Sequence, residues 1–253
     1  MNNQIIPEKG KTVITTGKGK NKTIITAKPQ ISSQGKILDL GNMVDTVFVF
    51  DTTGSMGNKI EALLLTCKQF VTEAKSLNLD SQFALISFGD ISIQGGGDTI
   101  NLVVPLTNDI EKIGYGLTNI PENNGFGNEG ESCLEAIHEA FKISHRKRAV
   151  KVMIIITDEP ALQHNISVKK VIQELKTHEY LVFVIAPDLP YYKEMAIKNG
   201  GTWKEIGSQT DLSTILELFK KISKKIYETA QEVHLMGSGS VSKYLALKAP
   251  KNR

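Results

Sequence analysis

At 253 residues, 40% of them apolar, the chain is long enough for one α/β domain with tails or for two small domains. The net charge of +3 hides a division: residues 1–40 hold seven lysines against Glu8 and Asp39, residues 235–253 hold Lys243, Lys248, Lys251 and Arg253 with no acid, and the body between them carries −6. No apolar run approaches the roughly 18 residues of a membrane span, and the opening MNNQIIPEKGK lacks the apolar core of a signal peptide, so the expectation is a cytoplasmic protein.

The first patterned segment lies in the N-terminal tail. Lys11-Thr12-Val13-Ile14-Thr15-Thr16 returns as Lys22-Thr23-Ile24-Ile25-Thr26-Ala27, with Gly17-Lys18-Gly19-Lys20-Asn21 between them. β-branched runs about a glycine-rich spacer predict a hairpin. The spacer is not a phosphate loop, since it lacks the glycine spacing and the closing Lys-Ser/Thr. The two basic tails are read as solubilising. They allow weak contact with nucleic acid, but Tyr244 is their only aromatic residue, which argues against a base-stacking role.

From residue 41 the pattern changes to alternating strands and helices. Residues 45–50 predict a strand and 59–75 an amphipathic helix, with Ile60, Leu63, Leu64, Cys67, Phe70, Val71 and Ala74 on one face. Residues 82–88 and 100–105 predict strands joined by a link too short for a crossover helix, which makes the second an antiparallel edge. Thr107 or Asn108 is placed to cap a brief helix toward Ile113. A glycine-rich irregular stretch, 115–130, precedes a helix over 131–143. Lys151–Thr157 encloses five consecutive apolar residues, as expected of a central strand covered on both faces. A helix over 166–178, a strand over 181–185, a helix over 191–199 stopped by Asn199-Gly200-Gly201, an edge strand over 201–206 and a long helix from Asp211 to about 233 complete the order. The prediction is an α/β fold, a doubly wound and mostly parallel sheet with helices on both faces, spanning 41–233 between tails 1–40 and 234–253. Cys67 and Cys133 both fall in apolar helical patterns and read as buried free thiols of a reducing compartment.

Two of the buried strands end in carboxylates. VFVF runs into Asp51-Thr52-Thr53-Gly54-Ser55, and Ile154-Ile155-Ile156-Thr157 runs into Asp158. A doubly wound sheet binds ligands in the crevice beyond the carboxyl ends of its strands, where strand order reverses. If the two strands are neighbours there, Asp51 and Asp158 meet. Thr53 and Ser55, spaced i and i+2, aim two hydroxyls to one side, and Gly54 is expected to let the backbone turn tightly. Carboxylates with neutral oxygens suit a hard ion such as Mg²⁺ or Mn²⁺. The helix beginning near Asn58 would direct its positive terminus toward a bound anion.

DTTGS resembles the DxTxS variant of the metal-ion-dependent adhesion site of von Willebrand factor type A domains, and Asp158 after its hydrophobic strand matches that family's third loop. DTTGSM is closer to the widely distributed intracellular branch than to the integrin branch. The resemblance implies that Thr53 and Ser55 bind the ion directly, that Asp51 and Asp158 bind it directly or through water, and that a partner protein's carboxylate takes the remaining position. One position departs. The family's second loop usually gives a Thr before its helix, and counting back from Ala136-Ile137 reaches Glu131. Gly127-Asn128-Glu129-Gly130-Glu131 resembles a recurring acidic version of this loop in which Pro usually stands where Gly130 is. Glu131 is therefore a candidate ligand, with Glu129 and Ser132 as substitutes and with an ordinary first-turn helix role as the competing reading. Three carboxylates would leave the ion less electrophilic and, with the acidic body, would favour a basic partner surface.

The function implied is a non-enzymatic, metal-dependent protein-binding module. A scaffold or accessory subunit of an ATPase or kinase complex and a metal-dependent phosphoesterase stay open as alternatives. A dehalogenase-type phosphotransferase requires an Asp where Thr53 stands, and Gly125-Phe126-Gly127 follows no strand, which counts against a dinucleotide site. His164 lies just after the Asp158 loop and reads as a helix-start or solvent-facing residue.

Overall fold

The computed structural model describes residues 5–8, 11–16, 23–27, 43–57, 69–73, 79–124, 130–206, 212–235 and 241–248. Near the N-terminus, β1 (Ile5–Glu8), β2 (Lys11–Thr16) and β3 (Thr23–Ala27) form a three-stranded sheet in that order. The repeated segments pair antiparallel, with Thr12 opposite Ala27 and Thr16 opposite Thr23. The hairpin expected from the repeat is therefore present, extended by β1, whose Ile5 faces Ile14 across the pair.

The body is built on a second sheet of six strands: β4 (Met43–Asp51), β5 (Asp80–Phe88), β6 (Asn101–Thr107), β7 (Val150–Ile156), β8 (Tyr180–Ala186) and β9 (Trp203–Glu205). Their order in space is β6-β5-β4-β7-β8-β9, with every pair parallel except β5 and β6. The predicted fold class and the antiparallel edge are thus observed. Six helices are described in full: α1 (Ile110–Thr118), α2 (Cys133–Ala140), α3 (Val168–Thr177), α4 (Pro190–Lys198), α5 (Leu212–Leu235) and α6 (Val241–Lys248). Of the helix expected over 59–75, residues 69–73 are helical and most of the rest, Cys67 included, lies outside the described residues.

The period-2 geometry of strands divides the core in two. One face collects Phe48, Phe50, Leu85, Val152, Ile154, Phe183 and Ile185 against Ile113 and Leu117 of α1, Ile222 and Ile226 of α5, and Val241 and Tyr244 of α6. The other collects Val47, Val49, Ile86, Met153, Ile155, Val182 and Val184 against Leu134 and Ile137 of α2, Val171 and Leu175 of α3, and Met195 of α4. Both faces being covered explains why these strands read as unbroken apolar runs.

Local chemistry moved three boundaries. The cap of α1 is Asp109, not Thr107 or Asn108: its carboxylate accepts from the backbone N–H groups of Glu111 and Lys112. The helix runs on to Thr118, so Gly114 and Gly116 lie in a helix and not in a loop; Gly116 has its Cα against the Val104 side chain, where a Cβ would sit 2.2 Å from a methyl carbon. Helix α2 starts at Cys133, two residues later than predicted, which takes Glu131 out of its first turn. The segment read as a C-terminal tail contains α6, with Val241 and Tyr244 buried in the core.

Candidate metal centre

Strand order reverses between the parallel neighbours β4 and β7: the chain passes from β4 to β5 on one side and from β7 to β8 on the other. Phe50 is paired with Ile156, so Asp51 and Thr157 emerge side by side at the carboxyl ends. Asp51 is fully buried. Its Oδ1 accepts from the Thr53 backbone N–H at 3.0 Å and from the Thr53 hydroxyl at 2.7 Å, and its Oδ2 accepts from the Thr157 hydroxyl at 2.7 Å. Thr53 and Ser55 hydroxyls lie 3.3 Å apart, and Ser55 donates to Asp158 Oδ1 at 2.8 Å. Asp51, Thr53, Ser55 and Asp158, named from the sequence, therefore form one continuous chain of oxygens across two loops.

The i, i+2 hydroxyl geometry follows from the backbone. Thr53 is extended, with φ −72° and ψ 166°, and a single 3₁₀ turn over Gly54–Met56 swings Ser55 to the same side. Met56 is buried beneath and anchors the turn. The glycine is not what permits this: Gly54 takes no left-handed φ, and among the described residues a Cβ there would meet nothing within 4 Å. The helix terminus expected at Asn58 lies outside the described residues.

Glu131 reaches the site by a different route from the one its helical register suggested. It makes an isolated parallel bridge with Ala161, its N–H donating to Pro160 O at 2.9 Å and its carbonyl accepting from Leu162 N–H at 2.9 Å. Gly130 makes this possible. Its φ is +153°, and a Cβ would fall 2.6 Å from the Pro160 carbonyl oxygen. Proline, with φ fixed near −65°, could not occupy the position, which accounts physically for the departure from the usual loop sequence. The side chain of Glu131 is buried, and its Oε2 has no hydrogen-bond partner among the described residues. Ser132, one of the substitutes, is turned away: its hydroxyl accepts from Ile91 N–H at 3.1 Å and lies 3.4 Å from Asp90 Oδ1. Glu129, the other, lies outside the described residues.

Electrostatics mark the same place. Burial lifts the Asp51 carboxyl to about 6 despite the hydrogen bonds from Thr53 and Thr157 that favour its charge, and Asp158 adds to the rise. Burial again, followed by the charges of Asp51, Asp90, Asp98 and Glu159, lifts Glu131 to about 9. Several carboxyl groups are thus gathered in one place, and their mutual repulsion adds to burial in raising the proton affinity of the two most confined. Among the described residues, no three His, Cys, Asp or Glu side chains alone form a metal cluster; the set is instead mixed, carboxylates with hydroxyls, as hard cations accept. An orphaned buried carboxylate oxygen beside a raised Asp fits a divalent cation better than it fits a dry core.

Sequence reasoning missed four contributors. Thr157 holds Asp51 from the neighbouring strand, and its position directly before Asp158 was the available signal. Asn123 joins the first and second loops, its Nδ2 donating to the Thr52 hydroxyl at 2.9 Å and its N–H to the Thr52 carbonyl at 3.0 Å. Asp90, fully buried at the end of β5, accepts from Ser92 N–H, while Asp98 accepts from Asp90 and Asn124 N–H groups. No sequence pattern announced the last two. His164 is exposed, as expected.

Compared with known families, residues 45–221 match the model of the von Willebrand factor type A domain. No curated protein matches the chain.

Proposed function

The chain belongs to the von Willebrand factor type A domain family, whose domains are generally protein-interaction modules, and on that premise we propose a non-enzymatic module that holds a partner protein through a bound Mg²⁺ or Mn²⁺. The observation that carries this reading is the unbroken run of oxygens from Thr157 through Asp51, Thr53 and Ser55 to Asp158. In it Thr53 and Ser55 supply neutral hydroxyl ligands, Asp51 and Asp158 supply charge directly or through water, and Glu131 contributes its orphaned oxygen. The ion would act as a Lewis acid that accepts one oxygen from the partner.

The protein's own residues prepare the site. Thr157 and the Thr53 N–H fix both oxygens of Asp51, so little reorganisation is left for binding. Ile91 and Ile93, 41% and 38% exposed, stand on the loop after β5 that Ser132 tethers to α2, and offer apolar contact beside the polar centre. A buried free thiol, Cys133, supports a reducing compartment such as the cytoplasm. Among the described residues no helix is long and apolar enough to cross a membrane.

The test is capture of partners by the full chain with Mg²⁺ and with EDTA, repeated with Asp51→Ala. Loss of the same partner under EDTA and in the variant is the expected result. Undiminished capture in both would reject metal dependence and leave a scaffold role.

A further inference from the structure

The opposite pole of the sheet carries a second concave feature that the metal-centred reading does not use. At the amino ends of β7 and β8 lies a cleft of about 340 Å³ whose lining includes Phe141, Lys147, Arg148, Lys151, His178 and Glu179. That volume lies in the range of small-ligand sites. The lining is strongly basic, although the body as a whole is acidic.

The cations divide by role. Arg146 is consumed in structure: its backbone N–H and Nε hold the two oxygens of buried Asp45 at 2.8 and 2.7 Å, and its remaining nitrogens hold Asp80. This fixes the loop on which Lys147 and Arg148 stand. Those two are exposed and have no ion pair among the described residues, and Lys151 is half-buried with its ammonium on the His178 carbonyl at 3.0 Å. Burial, then the neighbouring charge of Lys151, hold His178 below its usual range, so at neutral pH it is an uncharged flat ring. It stacks on Phe141 with centroids 4.5 Å apart and planes 5° from parallel. Arg146 is set against the two acids it holds and Glu179 is the one acid of the lining, so Lys147, Arg148 and Lys151 supply the charge left for a ligand.

The backbone adds an independent sign. Among the described residues only Arg148 and Glu179 take positive φ without being glycine, at 69° and 60°, and both flank this cleft. Glycine would fit both turns without strain, so the charged side chains are retained at a conformational cost, as is common at functional sites.

We propose that this cleft binds a phosphate monoester carried on a planar ring, the phosphate held by Lys147, Arg148 and Lys151 and the ring stacking on the outer face of exposed His178, whose inner face covers Phe141. A phosphate monoester carries close to two negative charges at pH 7, which suits a cluster of three cationic side chains. The inference is independent of the metal centre, which lies at the other end of the same strands.

The experiment is titration of phenyl phosphate, and separately of inorganic phosphate, into the full chain in EDTA, followed by backbone amide shifts. Phenyl phosphate should saturate with the largest shifts at 141–151 and 178–180, and inorganic phosphate should bind the same amides more weakly. Arg148→Gly keeps the left-handed backbone while removing the charge, so its melt should be no lower than wild type, yet affinity should fall about tenfold, as should that of Lys151→Met. Absence of saturation, equal affinity for the two probes, unchanged affinity in both cleft variants, or shifts centred on Asp51 would each overturn the proposal.

Discussion

The two raised carboxyls give the proposed metal centre a pH signature. A carboxyl whose folded pKa lies above its unfolded value holds its proton more tightly when folded, so stability declines as pH rises between the two. Asp51, lifted from 3.8 to about 6, should cost metal-free protein on the order of 2–3 kcal/mol across that interval. Glu131 extends the decline toward pH 9. Melts in EDTA from pH 4 to pH 9 should therefore fall on the alkaline side, and Mg²⁺ should restore most at high pH, where both groups are charged. A flat profile would mean that Asp51 is already neutralised by the protein. Glu131→Gln separates the two residues. Because unfolding releases the Glu131 proton at any pH between its unfolded value and about 9, the variant should melt near wild type at pH 4 in EDTA and increasingly above it toward pH 9, while its Mn²⁺ affinity falls. Equal affinity in calorimetry would remove Glu131 from the ligand set.

At the scale of elements, two short connections position everything. Gly130 lets the second loop press against Pro160, and Gly130→Ala forces a Cβ into a carbonyl 2.6 Å away at a strained φ. A destabilisation of roughly 1–3 kcal/mol is expected, with weaker metal binding because the Glu131–Ala161 bridge shifts. Calorimetry beside a melt would show both; a stability loss with unchanged affinity would mean that the bridge does not place the carboxylate. At the other pole Arg146 ties the β7 entry loop to Asp45. There burial raises the Asp45 carboxyl but is outweighed by bonds from His145 and Arg146, which hold it below the usual range. That stabilisation is complete above about pH 4 and is lost as pH falls through the depressed value. Arg146→Ala strands a fully buried carboxylate and should cost about 3–5 kcal/mol at pH 7, with a smaller difference from wild type in acid. Equal chemical denaturation midpoints at pH 7 would contradict the pairing.

For the molecule as a whole, the two ends of the chain should behave differently although both are basic. The N-terminal strands pair with one another in a sheet of their own, and the six-stranded sheet begins only at Met43. Removing residues 1–40 should leave a cooperative melt close to that of the full chain. Removing 236–253 deletes α6 and takes Val241 and Tyr244, 1% and 5% exposed, out of the core. At roughly 1.5–3 kcal/mol for each fully buried apolar side chain, that truncation should lower stability by about 3 kcal/mol or more. A C-terminal truncation as stable as the N-terminal one would show that α6 adds nothing to the body.

The sequence by itself determined the layered architecture, because residues covered on both sheet faces must be apolar without interruption and helices between them must carry a 3.6-residue stripe. It also placed Asp51, Thr53, Ser55 and Asp158 together at one end of the sheet, since a strand end fixes where its next few side chains emerge. Tertiary structure alone decided the rest. Thr157 became a holder of Asp51 only through the β4–β7 pairing. Glu131 was placed by a bridge to a loop thirty residues away, not by its helix. Asp90 and Asp98 joined the acidic surround through loop hydrogen bonds that leave no periodic trace. Helix α6 was hidden because eight residues interrupted by Ser242, Lys243 and Lys248 carry too weak a stripe to be read; only a core already formed supplied the face that Val241 and Tyr244 fill.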